Sequence, residues 1–189
     1  MVILPAAVPL AADRQLRHAL RYAPGISIMT GGQTGVDTVA AVAALRAGLV
    51  THLVFPLGFR QEDGPITAAG RHRMRGAVMH ELSLAEFRYR TWTCVYLADA
   101  VLLLDPAGGN GCQQTALAAR CLGRPLLAPD PGPRREQVAA WLRGTGARLL
   151  MVAGCRGSLL AAAGFGPQVS RDAWVITAAA RQRHDELAG

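Results

Sequence analysis

Apolar residues come in blocks of two kinds along this chain, and the two kinds alternate. The first kind is a short unbroken run closed by glycine, proline or charge, the mark of a buried strand. Such runs lie at 26–30, 53–55, 100–104, 125–128 and 148–153. The run at 100–104 is apolar at every position, as a central parallel strand should be. The second kind spaces its apolar positions as a helix does. Val36, Val39, Ala40, Ala43 and Ala44 predict a helix over 36–47, which Gly48 ends. Similar patterns predict helices over 84–97, from 112 or 113 to 122, over 134–143 behind Pro133, and from about 171 to 187. A weaker helical pattern over 67–79 is interrupted by Gly70 and Gly76. Leu16, Ala19 and Leu20 predict a short helix from Asp13 to Tyr22, and Pro5 and Pro9 make residues 1–11 an irregular N-terminal arm. Alternating strands and helices predict an α/β fold: a doubly wound, mainly parallel sheet in a single domain over 12–189.

Two strand-to-helix junctions are rich in glycine. The first is Gly31-Gly32-Gln33-Thr34-Gly35-Val36-Asp37 and the second is Asp105-Pro106-Ala107-Gly108-Gly109-Asn110-Gly111. Glycine lets backbone approach a ligand, and the first amides of a helix lack intrahelical partners, so such corners suit an anion. In the first, Gln33 and Thr34 add donors, while Asp37 can cap the helix, pair with an arginine or accept from a ligand. The bland reading of either corner is a packing turn. Between them, after the strand at 53–55, comes the charged loop Gly58-Phe59-Arg60-Gln61-Glu62-Asp63-Gly64. Loops after parallel strands are where ligands sit. Arg60 suits a phosphate or carboxylate, and Glu62 or Asp63 suits ligand amines, a metal or general base work. A solvated, salt-bridged loop would look the same. Arg88, Arg90 and Thr91 precede the central strand, and Arg90 facing the same crevice would add cationic charge; a surface helix arginine would look the same.

Composition narrows the chemistry. The net charge is +7, and all 20 basic residues are arginine, which excludes a Schiff-base, catalytic or P-loop lysine. The arginines are dispersed and aromatic residues make up 5%, so nucleic acid is not the expected partner; an anionic small molecule fits the charge. The five histidines have no metal-ligand spacing and the four cysteines form no C-x-x-C pair, so no metal site is expected and the thiols read as buried and free. No apolar run is long enough to span a membrane and no basic leader precedes the apolar start, which together with the free thiols predicts a cytoplasmic protein. The 51% hydrophobic content favours a buried oligomer face.

The motifs at 31–37 and 58–66, Arg90-Thr91-Trp92 followed by Ala98-Asp99-Ala100, the glycines at 108–111, and Trp141-Leu142 leading to Val152-Ala153-Gly154 occur in an order that resembles the proposed molybdenum-cofactor carrier proteins. These belong to the SLOG superfamily of Rossmann-like ligand-binding domains. The resemblance spans roughly residues 25–187. It implies a cytoplasmic homo-oligomer that binds the molybdenum cofactor or a related phosphorylated pterin or nucleotide. It also implies a pocket built from Gly31, Gly32, Gln33, Thr34, Gly35 and Asp37, from Gly58, Arg60, Glu62, Asp63 and Gly64, from Arg90 and Thr91, and from Gly108, Gly109, Asn110 and Gly111. Two places depart from the family pattern. Leu57 stands where a lysine is common, and the second corner continues Gly-Gly-Asn-Gly-Cys-Gln-Gln instead of Gly-Gly-Thr-Ala. The stretch 106–111 also resembles the cytokinin-activating phosphoribohydrolases, but Cys112 and Thr115 replace their threonine and catalytic glutamate.

Three functions follow as expectations. The first is a carrier that grips a phosphate-bearing ligand and leaves it unchanged. The second is a nucleotide N-glycosidase with Glu62 or Asp63 as its acid or base. The third is a regulatory module that senses a nucleotide.

Overall fold

The computed structural model describes residues 25–105, 107–130 and 132–189, together with Leu16 and Leu20, which are helical. The expected arm at 1–11 and all of the expected helix at 13–22 except these two leucines lie outside the described residues.

Six parallel strands form one sheet in the order β5-β2-β1-β8-β6-β7. They are β1 (Ser27–Thr30), β2 (Thr51–Phe55), β5 (Val78–Glu81), β6 (Ala100–Leu104), β7 (Leu126–Leu127) and β8 (Leu149–Gly154). Strands β3 (Arg60–Gln61) and β4 (Gly64–Pro65) form a separate antiparallel hairpin. The helices are α1 (Val36–Arg46), α2 (Ala68–Arg73), α3 (Phe87–Leu97), α4 (Asn110–Cys121), α5 (Arg135–Thr145), α6 (Gly157–Ala163) and α7 (Gly166–Ala188). Helices α1, α5 and α7 pack together on one face of the sheet; α3 and α4 pack together on the other.

The expected doubly wound parallel sheet is present, and the central runs become its buried strands. Every residue of β6 is buried, as are Leu149 to Ala153 of β8. Covered on both faces, they have no polar side to alternate with, which is why they read as continuous apolar runs. Local corrections fall at the margins. The stretch 67–79 is not one helix: α2 ends at Arg73, and Val78–Glu81 is an edge strand paired with β2. The loop after β2 contains a hairpin, and α7 begins at Gly166, ahead of the expected 171. Pro167 fits that start because proline needs no amide partner in a first helical turn.

The topology matters most for the site. The last strand in the chain, β8, occupies the centre, between β1 and β6. From β1 the chain moves outward to β2 and β5; from β6 it moves the other way to β7. The loops that follow β1, β8 and β6 therefore meet at one end of the sheet, at the point where strand order reverses. That is where doubly wound sheets hold ligands.

Candidate functional site

A cavity of about 600 Å³ opens at this end of the sheet. Gln33 and Asp37 line it from the first glycine corner, Gly108 to Cys112 from the second, and Gly154, Cys155 and Arg156 from the loop after β8. Helix α3 contributes Phe87, Arg88, Arg90 and Thr91; α4 adds Gln114 and Thr115; Glu62 reaches in from the hairpin.

The first corner is closed on itself. The Gly32 N–H donates to Thr30 Oγ1 at 3.3 Å, Gln33 N–H to Asp37 Oδ2 at 3.1 Å, and Thr34 N–H to Gln33 Oε1 at 2.9 Å. Val36 N–H donates to the Cys155 carbonyl at 3.0 Å. Amides expected to hold an anion are thus spent on protein acceptors. The neighbouring hairpin braces this arrangement. Gln61 Nε2 donates to the Gly32 carbonyl at 2.7 Å, and Glu62 N–H donates to Gln33 Oε1 at 2.8 Å. The two motifs that carry the family resemblance are two halves of one clasp.

Glu62 is the centre of that clasp. Its carboxylate accepts from the Thr34 hydroxyl, from Ser158 N–H at 3.1 Å and from Ser158 Oγ at 2.6 Å. Arg156 Nε lies 3.5 Å from Oε2. Burial alone would raise the Glu62 pKa, but hydrogen bonds from Ser158 and Thr34, with Arg156 close by, hold it below the ordinary value. An ionised carboxylate with four donors is a strut, poorly placed to deliver or collect a proton.

Deeper in the cavity, Arg90 Nη1 pairs with Asp37 Oδ2 at 3.2 Å. Both side chains are buried, and burial pushes the Asp37 pKa up even with Arg90 beside it. Gly31 makes the pair possible: a Cβ there would stand 1.1 Å from Arg90 Nη1. Gly35, at φ +79°, is equally fixed, since a Cβ would press within 2.4 Å of the Cys155 carbonyl. Arg90 is 8% exposed, yet its Nε finds no hydrogen-bond partner among the described residues, and neither does Gln114 Oε1. A buried orphan donor and a buried orphan acceptor on one cavity are expensive unless something else satisfies them.

The second corner is different. Asp105 Oδ1 accepts from Gly109 N–H at 3.0 Å, which shapes the turn. Beyond it, Gly108, Asn110 and Gly111 line the cavity at the start of α4, and methyl groups at Gly108 or Gly111 would meet nothing within 4 Å. This helix start faces open space.

Of the residues expected from sequence, Gln33, Asp37, Glu62, Arg90, Thr91 and the glycine loop from Gly108 to Gly111 come together around the cavity. Gly31, Gly32, Thr34 and Gly35 lie behind its lining as the clasp. Gly58, Arg60, Asp63 and Gly64 stand outside, with Asp63 exposed and the Arg60 guanidinium 5.8 Å from the Phe87 ring. Sequence reasoning missed Phe87, Arg88, Gln114, Thr115, Cys155 and Arg156 as lining residues. The loop at 154–158 directly follows a strand, and that position was the available signal.

The model of the circularly permutated YpsA SLOG family matches residues 28–169, a span that holds the clasp, the cavity and all six strands of the sheet except the first residue of β1. The chain belongs to that family. Consistent with a SLOG domain, the crystal structure of the proposed molybdenum carrier protein from Syntrophus aciditrophicus SB shares the fold, with a TM-score of 0.66. That match is 20% identical in sequence and covers 82% of this SLOG chain and 94% of the other. No curated protein matches the chain.

Proposed function

We propose that this SLOG protein binds a phosphate-bearing pterin- or nucleotide-like ligand in the cavity and carries it unchanged, the molybdenum cofactor being the leading member of that class. The observation that carries this reading is the pair of buried polar atoms left without partners there, Arg90 Nε and Gln114 Oε1. A heterocycle with a carbonyl and a ring N–H offers the acceptor and the donor that these two atoms lack, and pterin and guanine rings carry both on one edge. The phosphate then lies at the open start of α4, where unpaired amides and the helix dipole favour negative charge. Three arginines against two carboxylates line the cavity, so its balance favours an anion. The family membership and the carrier-type neighbour support the same class. Turnover is not part of this proposal. Glu62 is held as a strut, Asp63 stands outside the cavity, and the position of the related hydrolases' glutamate is Thr115, whose hydroxyl donates to the Gly111 carbonyl at 3.0 Å.

Native mass spectrometry tests the reading. Protein isolated without oxygen from cells that make molybdenum cofactor should retain a pterin phosphate. Titration with guanosine monophosphate should also raise the melting temperature, as any ligand that prefers the native state must. Release of free guanine during that titration would convert the carrier into a hydrolase. The homo-oligomer implied by the family resemblance would draw on exposed apolar residues such as Val78, Leu84 and Trp174, and sedimentation equilibrium would measure it.

A further inference from the structure

Three donors that the carrier reading leaves unused meet beneath the second glycine corner. One ligating atom each from Asp105, Cys112 and Cys155 lies within 4.8 Å of the other two. Cys112 Sγ and Cys155 Sγ are 3.9 Å apart, and the Cys155 thiol donates to Asp105 Oδ1 at 3.0 Å. Both cysteines are 2% exposed, whereas Asp105 reaches the surface. Helix α4 supplies one sulfur, and Cys155, the first residue after β8, supplies the other. The Gly109 amide orients the carboxylate.

These spacings suit a tetrahedral ion. Metal–sulfur bonds of about 2.3 Å place two sulfurs about 3.8 Å apart across a tetrahedral edge. The observed separation is already close to that. With a metal–oxygen bond of about 2.0 Å, the sulfur–oxygen edge is about 3.5 Å. Asp105 therefore needs to draw back from Cys155 by roughly half an ångström when an ion replaces the thiol proton. Two soft sulfurs and one carboxylate select a thiophilic divalent cation over magnesium or calcium.

We propose that Asp105, Cys112 and Cys155 form a three-ligand site for a zinc-like divalent cation whose fourth position opens into the cavity. Cys112 and Cys155 both line that cavity, which puts the open position on the ligand side. The inference rests on this cluster and not on the identity of the carried ligand. Binding balances simply: each thiol releases its proton to solvent and gives a lone pair to the ion, while Asp105 binds as a carboxylate. Burial and the nearby Asp105 carboxylate push the Cys112 and Cys155 thiol pKa values up, so they are neutral until an ion displaces their protons. Histidine spacing and C-x-x-C patterns gave no hint, because the two cysteines are 43 residues apart.

Cadmium is the probe, since its thiolate complexes absorb in the ultraviolet by sulfur-to-metal charge transfer. Reduced, metal-free full-length protein should bind one Cd²⁺ and release two protons, with the charge-transfer band appearing in step. Cys121→Ser, which removes the exposed cysteine, should behave like the parent chain. Cys112→Ser and Cys155→Ser should each weaken binding at least tenfold, and Asp105→Asn should keep the band with weaker affinity. Cadmium-113 NMR of the unaltered protein should report two sulfur donors, and that measurement needs no variant to fold. The proposal is overturned if the parent chain gives no band, if the band survives in the Cys112→Ser/Cys155→Ser double variant, or if thiol counting finds these two cysteines joined as a disulfide under reducing, metal-free conditions.

Discussion

The two glycine corners look alike in sequence and are used in opposite ways. Each follows a buried strand and opens a helix on the same cavity. At the first, backbone amides, Gln33, Thr34 and Glu62 are consumed by one another, and Asp37 is consumed by Arg90. At the second, one carboxylate shapes the turn and the start of α4 is left facing open space. A glycine-rich strand–helix junction is therefore a signal for close backbone approach. What approaches, protein or ligand, depends on which polar side chains the rest of the fold brings to it. The first corner is spent on stability and shape; the second is left open, which is why the proposed ligand is assigned to it.

The most severe way to break this contrast is at the buried pair. Asp37→Ala leaves Arg90 charged, buried and without its partner, and should cost about 3 to 5 kcal/mol in urea unfolding. A cost below about 1 kcal/mol would mean that the pair is dispensable, and with it the locking role of the first corner. Replacing both members by apolar residues of similar size should cost less than the single change, because no unpaired charge is left.

The same half of the sheet should also be the acid-sensitive half. His52 on β2 lies against His80 on β5, Nδ1 to Nε2 at 3.1 Å. Burial and the proximity of His80 push the His52 pKa down from 6.5 to about 4, and burial lowers His80 as well. Below 6.5 the unfolded chain binds protons that the folded chain refuses. Stability is thus full above pH 6.5 and falls as the pH drops toward 4, by up to about 3 kcal/mol for His52. His52→Gln should flatten that part of the stability–pH profile; an unchanged slope would place the acid sensitivity elsewhere.

A smaller loss is expected at the clasp. Glu62→Ala abandons the Ser158 and Thr34 donors and should cost about 2 kcal/mol, with ligand affinity changed less than tenfold. A variant that keeps its stability but loses ligand would move Glu62 from strut to contact. The smallest stability effect belongs to the second corner. Gly111→Glu has space for its side chain and puts a carboxylate in a first helical turn, so stability should shift by no more than about 0.5 kcal/mol. Binding of an anionic ligand should nevertheless fall at least tenfold.

The sheet was legible because its central strands are buried on both faces and cannot be mistaken for anything solvated. Its edge was not: Val78-Met79-His80-Glu81 is half exposed and mixed in character, so its strand conformation comes from pairing with β2 and not from its own pattern. The site was legible one loop at a time. The glycines at 108–111 and the arginine at 90 stand where local sequence pointed, but the clasp behind the first corner depends on Glu62 meeting Thr34 across 28 positions and Ser158 across 96. Cys155 gains its neighbours only because the last strand is inserted at the centre. No spacing rule reaches that far along a chain.

The central claim is that an anionic, heterocyclic ligand lies against Arg90 and Gln114 with its phosphate at the start of α4. The most direct measurement is native mass spectrometry of the parent chain and Gly111→Glu, prepared side by side without oxygen from cells that make molybdenum cofactor. A bound pterin phosphate in the parent and little or none in the equally stable variant is the predicted result. Equal retention by both, or no retention by the parent even after cofactor is added back, would contradict the account.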